Sequence, residues 1–235
     1  MSFTFREFPV RPAEPIQAPP SVVGPLPRLW KRPFGFYRNV FKRAFDVTAI
    51  VVAAPVIVPV IAALSIGVAL EGGRPFYSQL RVGKGGKTFR MWKLRSMVHN
   101  AESQLQDLLQ RDPTARAEWD ATQKLRQDPR ITRFGRFLRR SSLDELPQLW
   151  NVFKGDMSLV GPRPMMVEQR SLYPGSAYYA LRPGITGYWQ TAGRNQTTFQ
   201  ARAEYDTVYD DGLAFTADLR ILWRTISVVL KGTGC

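Results

Sequence analysis

DVTAIVVAAPVIVPVIAALSIGVALE, residues 46–71, decides how the chain folds, because about 24 uncharged residues between Asp46 and Glu71 are enough to cross a bilayer. Two features argue against simple crossing. Pro55 and Pro59 lie near the middle, where each removes a backbone donor and clashes with the preceding turn, so a sharp bend is predicted there. Both flanks are basic, with Lys31, Arg32, Arg38, Lys42 and Arg43 before the run and Arg74, Arg81, Lys84 and Lys87 after it. A spanning helix carries that bias on its cytoplasmic side only. The pattern predicts a re-entrant hairpin that dips into one leaflet and returns, each arm roughly 12–16 Å long at about 1.5 Å per residue. A buried core helix and an ordinary spanning helix are the alternatives.

Composition agrees with a membrane-facing or phosphate-handling protein. Among 235 residues, Lys+Arg 33 against Asp+Glu 19 gives a net charge of +14, which favours an anionic partner: nucleic acid, an anionic membrane surface or a phosphorylated substrate. With 44% hydrophobic residues, one domain with an appendage can build a core. The single cysteine, Cys235, excludes an intrachain disulfide, and the single histidine, His99, leaves little for a histidine-based triad or zinc site.

Three parts follow in order. Residues 1–33 carry eight prolines and no signal-peptide core, which reads as a disordered or extended arm. Residues 34–72 form an amphipathic lead-in and the re-entrant helix, and residues 73–235 a cytoplasmic globular domain. The fold class expected is α+β, predominantly helical, with a β-hairpin in that domain. The hairpin is predicted in RPFYSQLRVGKGGKTFRMWKLRSM, residues 74–97, around Gly83, Gly85 and Gly86. A phosphate-loop reading of its Gly-Lys-Thr fails, because that spacing needs a glycine where Arg81 stands. Residues 97–127 predict one or two surface helices interrupted at Asp112-Pro113. DPRITRFGRFLRR, residues 128–140, sets an apolar stripe beside a cationic one at helical spacing. The loops GDMSLVGPRPMM and LRPGITGYWQTAGRN are dense in Gly, Pro and Arg, and ADLRILWRTISVVLKG closes the chain as an amphipathic helix with Asp218 in its first turn.

RRSSLDELPQLWN, residues 139–151, holds the adjacent carboxylates Asp144 and Glu145. Ser142 and Glu145 stand in a capping-box relation, so the pair has a structural reading as a helix start. It also has a chemical one. A helix N-terminus beside arginines draws phosphate, and a carboxylate held there can attack phosphorus once a divalent cation reduces the repulsion. Neighbouring side chains diverge by about 100° on a helix, so one can attack while the other holds the metal.

The order of the apolar run, FYSQLRVG, FRMWKLRSM, LRRSSLDELPQLWNVFKGDMSLVGPRP and LRPGITGYWQTAGRN closely resembles the bacterial sugar transferases, the monotopic phosphoglycosyl transferases. The resemblance covers residues 41–229. It implies an enzyme on the cytoplasmic face of the bacterial inner membrane, held by a re-entrant helix. A nucleoside-diphosphate sugar, UDP-glucose or UDP-galactose, gives its sugar 1-phosphate to an aspartate, and undecaprenyl phosphate then takes the phosphosugar, the first membrane step of surface-glycan or exopolysaccharide synthesis. By the same resemblance Asp144 is the nucleophile, Glu145 its partner at Mg2+, and Asp218 a further acidic position assigned to the metal. Lys93, Arg139 and Arg163 match positions around the substrate phosphates, and Arg194 a position associated with the nucleotide. Arg182 and Gln190 are added as polar members of a glycine-rich loop. Where the family often has Ser-Pro at the membrane bend, Ala54-Pro55 stands here. Expected partners are the lipid phosphate, the nucleotide sugar and the membrane, with a homodimer left open and no nucleic acid. A basic nucleic-acid binder or a noncatalytic membrane scaffold are the rival readings; the first leaves the apolar run unexplained.

Overall fold

The computed structural model describes residues 35–122, 125–192 and 199–230. The proline-rich stretch 1–33 and Arg194 lie outside them. Among the described residues the chain is mostly helical, with two small two-stranded sheets.

After a single π-helical turn, Tyr37–Phe41, helix α1 runs through Lys42–Leu70. Pro55 and Pro59 sit inside it, and it is one continuous helix rather than two arms joined by a turn. Each proline removes one N–H, but its fixed φ matches the helix, so the flanking turns carry the ladder past it. The exposed middle bears Val51, Val52, Val56 and Val58, 55–74% exposed, while both ends are held by the same body. At the start, Arg43 donates to the carbonyls of Val152 (2.5 Å) and Phe153 (2.7 Å), and Asp46 accepts from Ser158 Oγ (2.7 Å) and Leu159 N (3.1 Å). At the end, Val68 packs with Leu94 and Leu138, Glu71 accepts from Thr132 Oγ1 (2.7 Å), and Arg95 donates to the Gly72 carbonyl.

The predicted hairpin forms from β1, Phe76–Val82, and β2, Thr88–Leu94, antiparallel with Tyr77 opposite Lys93. Gly85 and Gly86 turn it at φ 67 and 76, which L side chains rarely adopt. Two surface helices follow as expected, α2 at Ala101–Arg111 and α3 at Pro113–Thr122, parted at Asp112. The arginine-rich stretch becomes α4, Arg133–Ser141, capped by Thr132, whose Oγ1 accepts from Gly135 N at 2.8 Å. Gly135 is required where it stands, because a Cβ there would overlap the Ser96 carbonyl.

Helix α5, Gln148–Lys154, braces β2 from behind. Its buried Asn151 accepts from Trp92 N (3.0 Å) and donates to the Arg90 carbonyl (2.7 Å), serving the outer edge of the strand. Strand β3, Ser158–Val160, pairs in parallel with β4, Gly184–Thr186, with α6, Ala177–Ala180, between them in sequence. The short α7, Tyr188–Ala192, α8, Arg202–Asp211, and α9, Phe215–Leu230, complete the body. Tyr37, Val160, Leu181, Tyr209, Leu213 and Ile221 form the core where the lead-in to α1 meets α8 and α9.

Candidate active site

The carboxylate pair sits at a break between two helices. Ser142 ends α4 in the left-handed region at φ 56, the one positive-φ residue other than glycine among those described. A 3-10 turn, Leu143–Glu145, follows at once and carries Asp144 inward. The capping box expected from Ser142 and Glu145 does not form: the Ser142 side chain makes no cap bond, and Glu145 N donates instead to the Ser142 carbonyl at 3.2 Å. Pro147 takes the N-cap position of α5.

This turn lines a cleft of about 430 Å³ walled by the hairpin, the end of α4, the β3–β4 region, α7 and α9. Lys93, Arg139, Asp144, Glu145, Arg163 and Gln190 all line it, so six of the sequence-predicted positions converge. Lys93 Nζ donates to Glu145 Oε1 at 2.7 Å and lies 3.8 Å from Asp144 Oδ2. Arg139 is steadied by its Nε bond to Ser96 Oγ at 2.8 Å. Gln190 Nε2 donates to the Ile185 carbonyl (2.9 Å), leaving its buried Oε1 without a partner among the described residues. Arg163 has no hydrogen-bond or ion-pair partner among the described residues.

Burial raises the Asp144 carboxyl above its ordinary value, with Lys93 opposing, Glu145 adding and Arg139 opposing. Burial alone would lower Lys93, but Glu145 and then Asp144 override it, and the ammonium is held above its ordinary value. The arrangement is a half-desolvated carboxylate pair beside a permanent cation, with two guanidinium groups nearby. Such a cleft attracts a phosphate and presents it to an oxygen nucleophile.

Two expected positions lie elsewhere. Arg182 donates through Nε to the Gly155 carbonyl at 2.9 Å and does not line the cleft. Asp218 is fully buried in the core at the start of α9, accepting from Tyr37 Oη (2.6 Å), Lys42 Nζ (2.5 Å) and Tyr209 Oη (2.6 Å). Its assignment to the metal is corrected on that ground, since its oxygens already serve three donors away from the cleft. Among the described residues no three of His, Cys, Asp and Glu are gathered to hold an ion. Asp144 and Glu145 nonetheless offer hard carboxylate oxygens side by side, which suits Mg2+, an ion bound by one or two carboxylates together with substrate phosphates.

Sequence reading missed Tyr77, Thr186, Thr191 and Thr225, which also line the cleft. For Tyr77 a signal existed, because a hairpin centred on Gly85 sets it opposite Lys93. The threonines had none: Thr186 Oγ1 meets Thr225 Oγ1 at 2.6 Å across 39 residues of sequence.

A family model described as bacterial sugar transferase matches residues 37–232. The chain is 45% identical over 195 residues to the UDP-galactose-lipid carrier transferase of Erwinia amylovora, covering 82% of this chain and 41% of that protein. It is likewise 45% identical over 195 residues to the undecaprenyl-phosphate galactose phosphotransferase of Salmonella typhimurium, with the same coverage of 82% and 41%. To the exopolysaccharide production protein ExoY of Rhizobium meliloti it is 40% identical over 209 residues, covering 86% of this chain and 90% of that protein. The chain thus spans about two fifths of the first two relatives and nearly all of the third.

Proposed function

The chain belongs to the bacterial sugar transferase family, and from that premise we propose that it is a phosphoglycosyl transferase. It moves hexose 1-phosphate from a nucleoside-diphosphate sugar, UDP-galactose or UDP-glucose, to undecaprenyl phosphate, with Asp144 as the covalent carrier. The observation that carries this reading is the gathering of Asp144, Glu145, Lys93, Arg139 and Arg163 around one cleft.

In the first half-reaction an Asp144 oxygen attacks the phosphorus that bears the sugar. The bond from that phosphorus to the bridging oxygen breaks, and nucleoside monophosphate leaves with the electron pair. In the second, an oxygen of the lipid phosphate attacks the same phosphorus, the aspartyl bond breaks, and a lipid diphosphate-linked sugar departs. Lys93 faces both carboxylates and offsets the charge that accumulates when an anion attacks an anion. Arg139 and Arg163 bind the phosphate oxygens from two other walls. Glu145 would hold Mg2+, which when bound supplies charge neutralisation at the phosphates.

The membrane part of the reading rests on α1. Its exposed, apolar middle has nowhere to go in water, while both of its ends are bonded to the same globular body. Ties at both ends support a re-entrant over a spanning arrangement, and the basic flanks support the cytoplasmic face of the inner membrane as the side on which both ends lie. Exposed Phe137, Trp150 and Phe153 on α4 and α5 supply aromatic side chains suited to the headgroup layer. The cleft then opens where an anionic lipid head can reach it without leaving the bilayer.

The test is a panel of nucleotide sugars scored for nucleoside monophosphate release by full-length protein with Mg2+, with and without undecaprenyl phosphate. Release with a uridine-diphosphate hexose supports the reading; none with any donor overturns it.

A further inference from the structure

Two acids bound the apolar helix, Asp46 near its start and Glu71 just past its end, and the reaction as described uses neither. Each reaches out of α1 to make the same pair of bonds with a different element. Asp46, 2% exposed, accepts the Ser158 hydroxyl (2.7 Å) and Leu159 N (3.1 Å) of β3. Glu71, exposed, accepts the Thr132 hydroxyl (2.7 Å) and Phe134 N (3.4 Å) at the start of α4. A carboxylate is favoured there, because the unpaired N–H groups of the first turn and the positive end of the helix dipole face it.

The meaning of these ties lies in what β3 and α4 carry. Helix α4 runs from its Thr132 cap to the left-handed Ser142, with Arg139 in its last turn and Asp144 in the 3-10 turn that follows. Strand β3 puts Leu159 on the opposite side of the cleft lining, pairs with the strand that brings Thr186, and leads through Gly161 and Pro162 to Arg163. The wall with the nucleophile and the wall with Arg163 are thus fastened to the two ends of one helix. There is little slack at the α4 end, where a Cβ on Gly67 would stand 2.8 Å from the Phe134 ring and Val68 packs on Leu138. Movement of α1 is passed on rather than absorbed.

We propose that Asp46 and Glu71 are positioning residues that set the separation of the two cleft walls, so that the alignment of Asp144 with a bound phosphate follows the seat of α1 in the bilayer. This rests on the transfer reaction and the membrane placement of α1 proposed above. A bilayer whose thickness does not match an embedded helix tilts it. With both ends tied, that tilt reaches α4 and β3 together. Misplacing reacting groups by about 1 Å costs about 10²-fold in rate, so a small displacement is enough to be read.

The experiment follows the donor half-reaction alone. A water-soluble nucleotide sugar labels Asp144 with no lipid acceptor present, so access of a lipid head to the cleft does not enter. Single-turnover labelling is timed for full-length protein with Mg2+ in phosphatidylcholine–phosphatidylglycerol vesicles with dimyristoleoyl, dioleoyl or dierucoyl chains. The parent's rate constant at saturating donor should differ about threefold between the thinnest and thickest bilayers, at unchanged labelled amplitude. Glu71→Ala should lower that rate constant about tenfold in dioleoyl vesicles, again at full amplitude, and flatten its dependence on thickness. Glu71→Gln, whose amide oxygen still accepts the Thr132 hydroxyl, recovers most of the rate. Asp46→Asn follows Glu71→Ala, and Glu102→Ala on α2 labels as the parent does. A parental rate constant in Glu71→Ala, whether at full or reduced amplitude, overturns the positioning role, because reduced amplitude alone reports lost fold. A parent rate constant equal in every bilayer overturns it too. Should Asp46→Asn fail to fold, Glu71→Ala, at an exposed residue, decides alone. The wall separation is measured without donor, from nitroxides on Arg140→Cys in α4 and Met166→Cys beyond β3 in Cys235→Ser protein, and its distribution should broaden in Glu71→Ala. Broadening with no labelling of Asp144 in the parent sinks the transfer reaction and spares the ties. Labelling with a rate and a separation that ignore Glu71 does the reverse.

Discussion

Lys93 donates to Glu145 at 2.7 Å, so the ammonium is bonded to one carboxylate while remaining 3.8 Å from its neighbour Asp144. That asymmetry divides the pair. Glu145 anchors the cation, and Asp144 keeps its Oδ2 outside direct hydrogen-bond distance of Lys93, which suits a nucleophile. Asp144→Asn should abolish both nucleoside monophosphate release and covalent labelling. Glu145→Gln should lower kcat by about 10²-fold, the scale of a positioned charge, while still letting label accumulate on Asp144. Label on the protein in the Asp144→Asn variant would refute the division.

The raised Asp144 carboxyl has a consequence for pH. It must be ionised to attack, so kcat/KM should fall as pH drops through a value above the ordinary carboxylate range. Lys93 stays protonated throughout, because its own affinity for the proton is raised. Conversion of Lys93 to Met should move the acidic limb to still higher pH by removing the cation that favours the anion. An acidic limb that stayed in place would show that the limb belongs to another group.

Much of this was readable beforehand, and the reasons differ by element. The hairpin was legible because Gly85 and Gly86 leave few choices of register, and α4 because its arginines and aromatics repeat at helical spacing. The cluster of Lys93, Arg139, Asp144 and Arg163 became legible through motifs, not through periodicity. Asp218 was misplaced because an acid in a first turn looks the same from sequence whether it faces solvent, metal or, as here, two tyrosines and a lysine from other elements.

Asp218 therefore predicts a stability phenotype without a metal phenotype. Asp218→Asn keeps the side chain's shape but leaves Lys42, also buried, without its ion pair, which should destabilise the fold by about 3 kcal/mol. Thermal unfolding in detergent should register the loss, while the Mg2+ concentration giving half-maximal activity stays where it was. A shifted Mg2+ dependence at unchanged stability would restore Asp218 to the metal.

Asp206 offers a second stability prediction, with a sign opposite to that of an ordinary ion-paired acid. Burial raises its carboxyl to about 7, with Tyr173 and Arg202 opposing. Its folded pKa exceeds its unfolded one, so its contribution is fully present below about pH 4 and is lost as pH rises through 7. The unfolding temperature of the parent should fall between pH 5 and pH 8 by a linkage effect on the order of 2–4 kcal/mol. Asp206→Asn, which keeps an acceptor for Tyr173, should flatten that slope. An unchanged slope in the variant would remove Asp206 as its source.

The topology of α1 is open to a direct measurement. Cysteines placed at Arg38 and Arg74, on either side of the apolar helix, should be modified from the same side of sealed inner-membrane vesicles, because Arg38 is paired with Asp210 (2.7 Å) and Arg74 precedes the hairpin of the same body. The parent chain lacks a competing thiol once Cys235 is replaced. Replacing both Pro55 and Pro59 by alanine restores two backbone donors to the middle of the helix and stiffens it. With 29 residues α1 is already long enough to span, so in the stiffened variant the ends compete between their bonds to the body and a straight passage through the bilayer. The variant should show a fraction of molecules labelled from opposite sides and a matching loss of activity, since the cleft and the lipid head would no longer share a face. Opposite-side labelling in the parent chain itself would exclude the re-entrant arrangement.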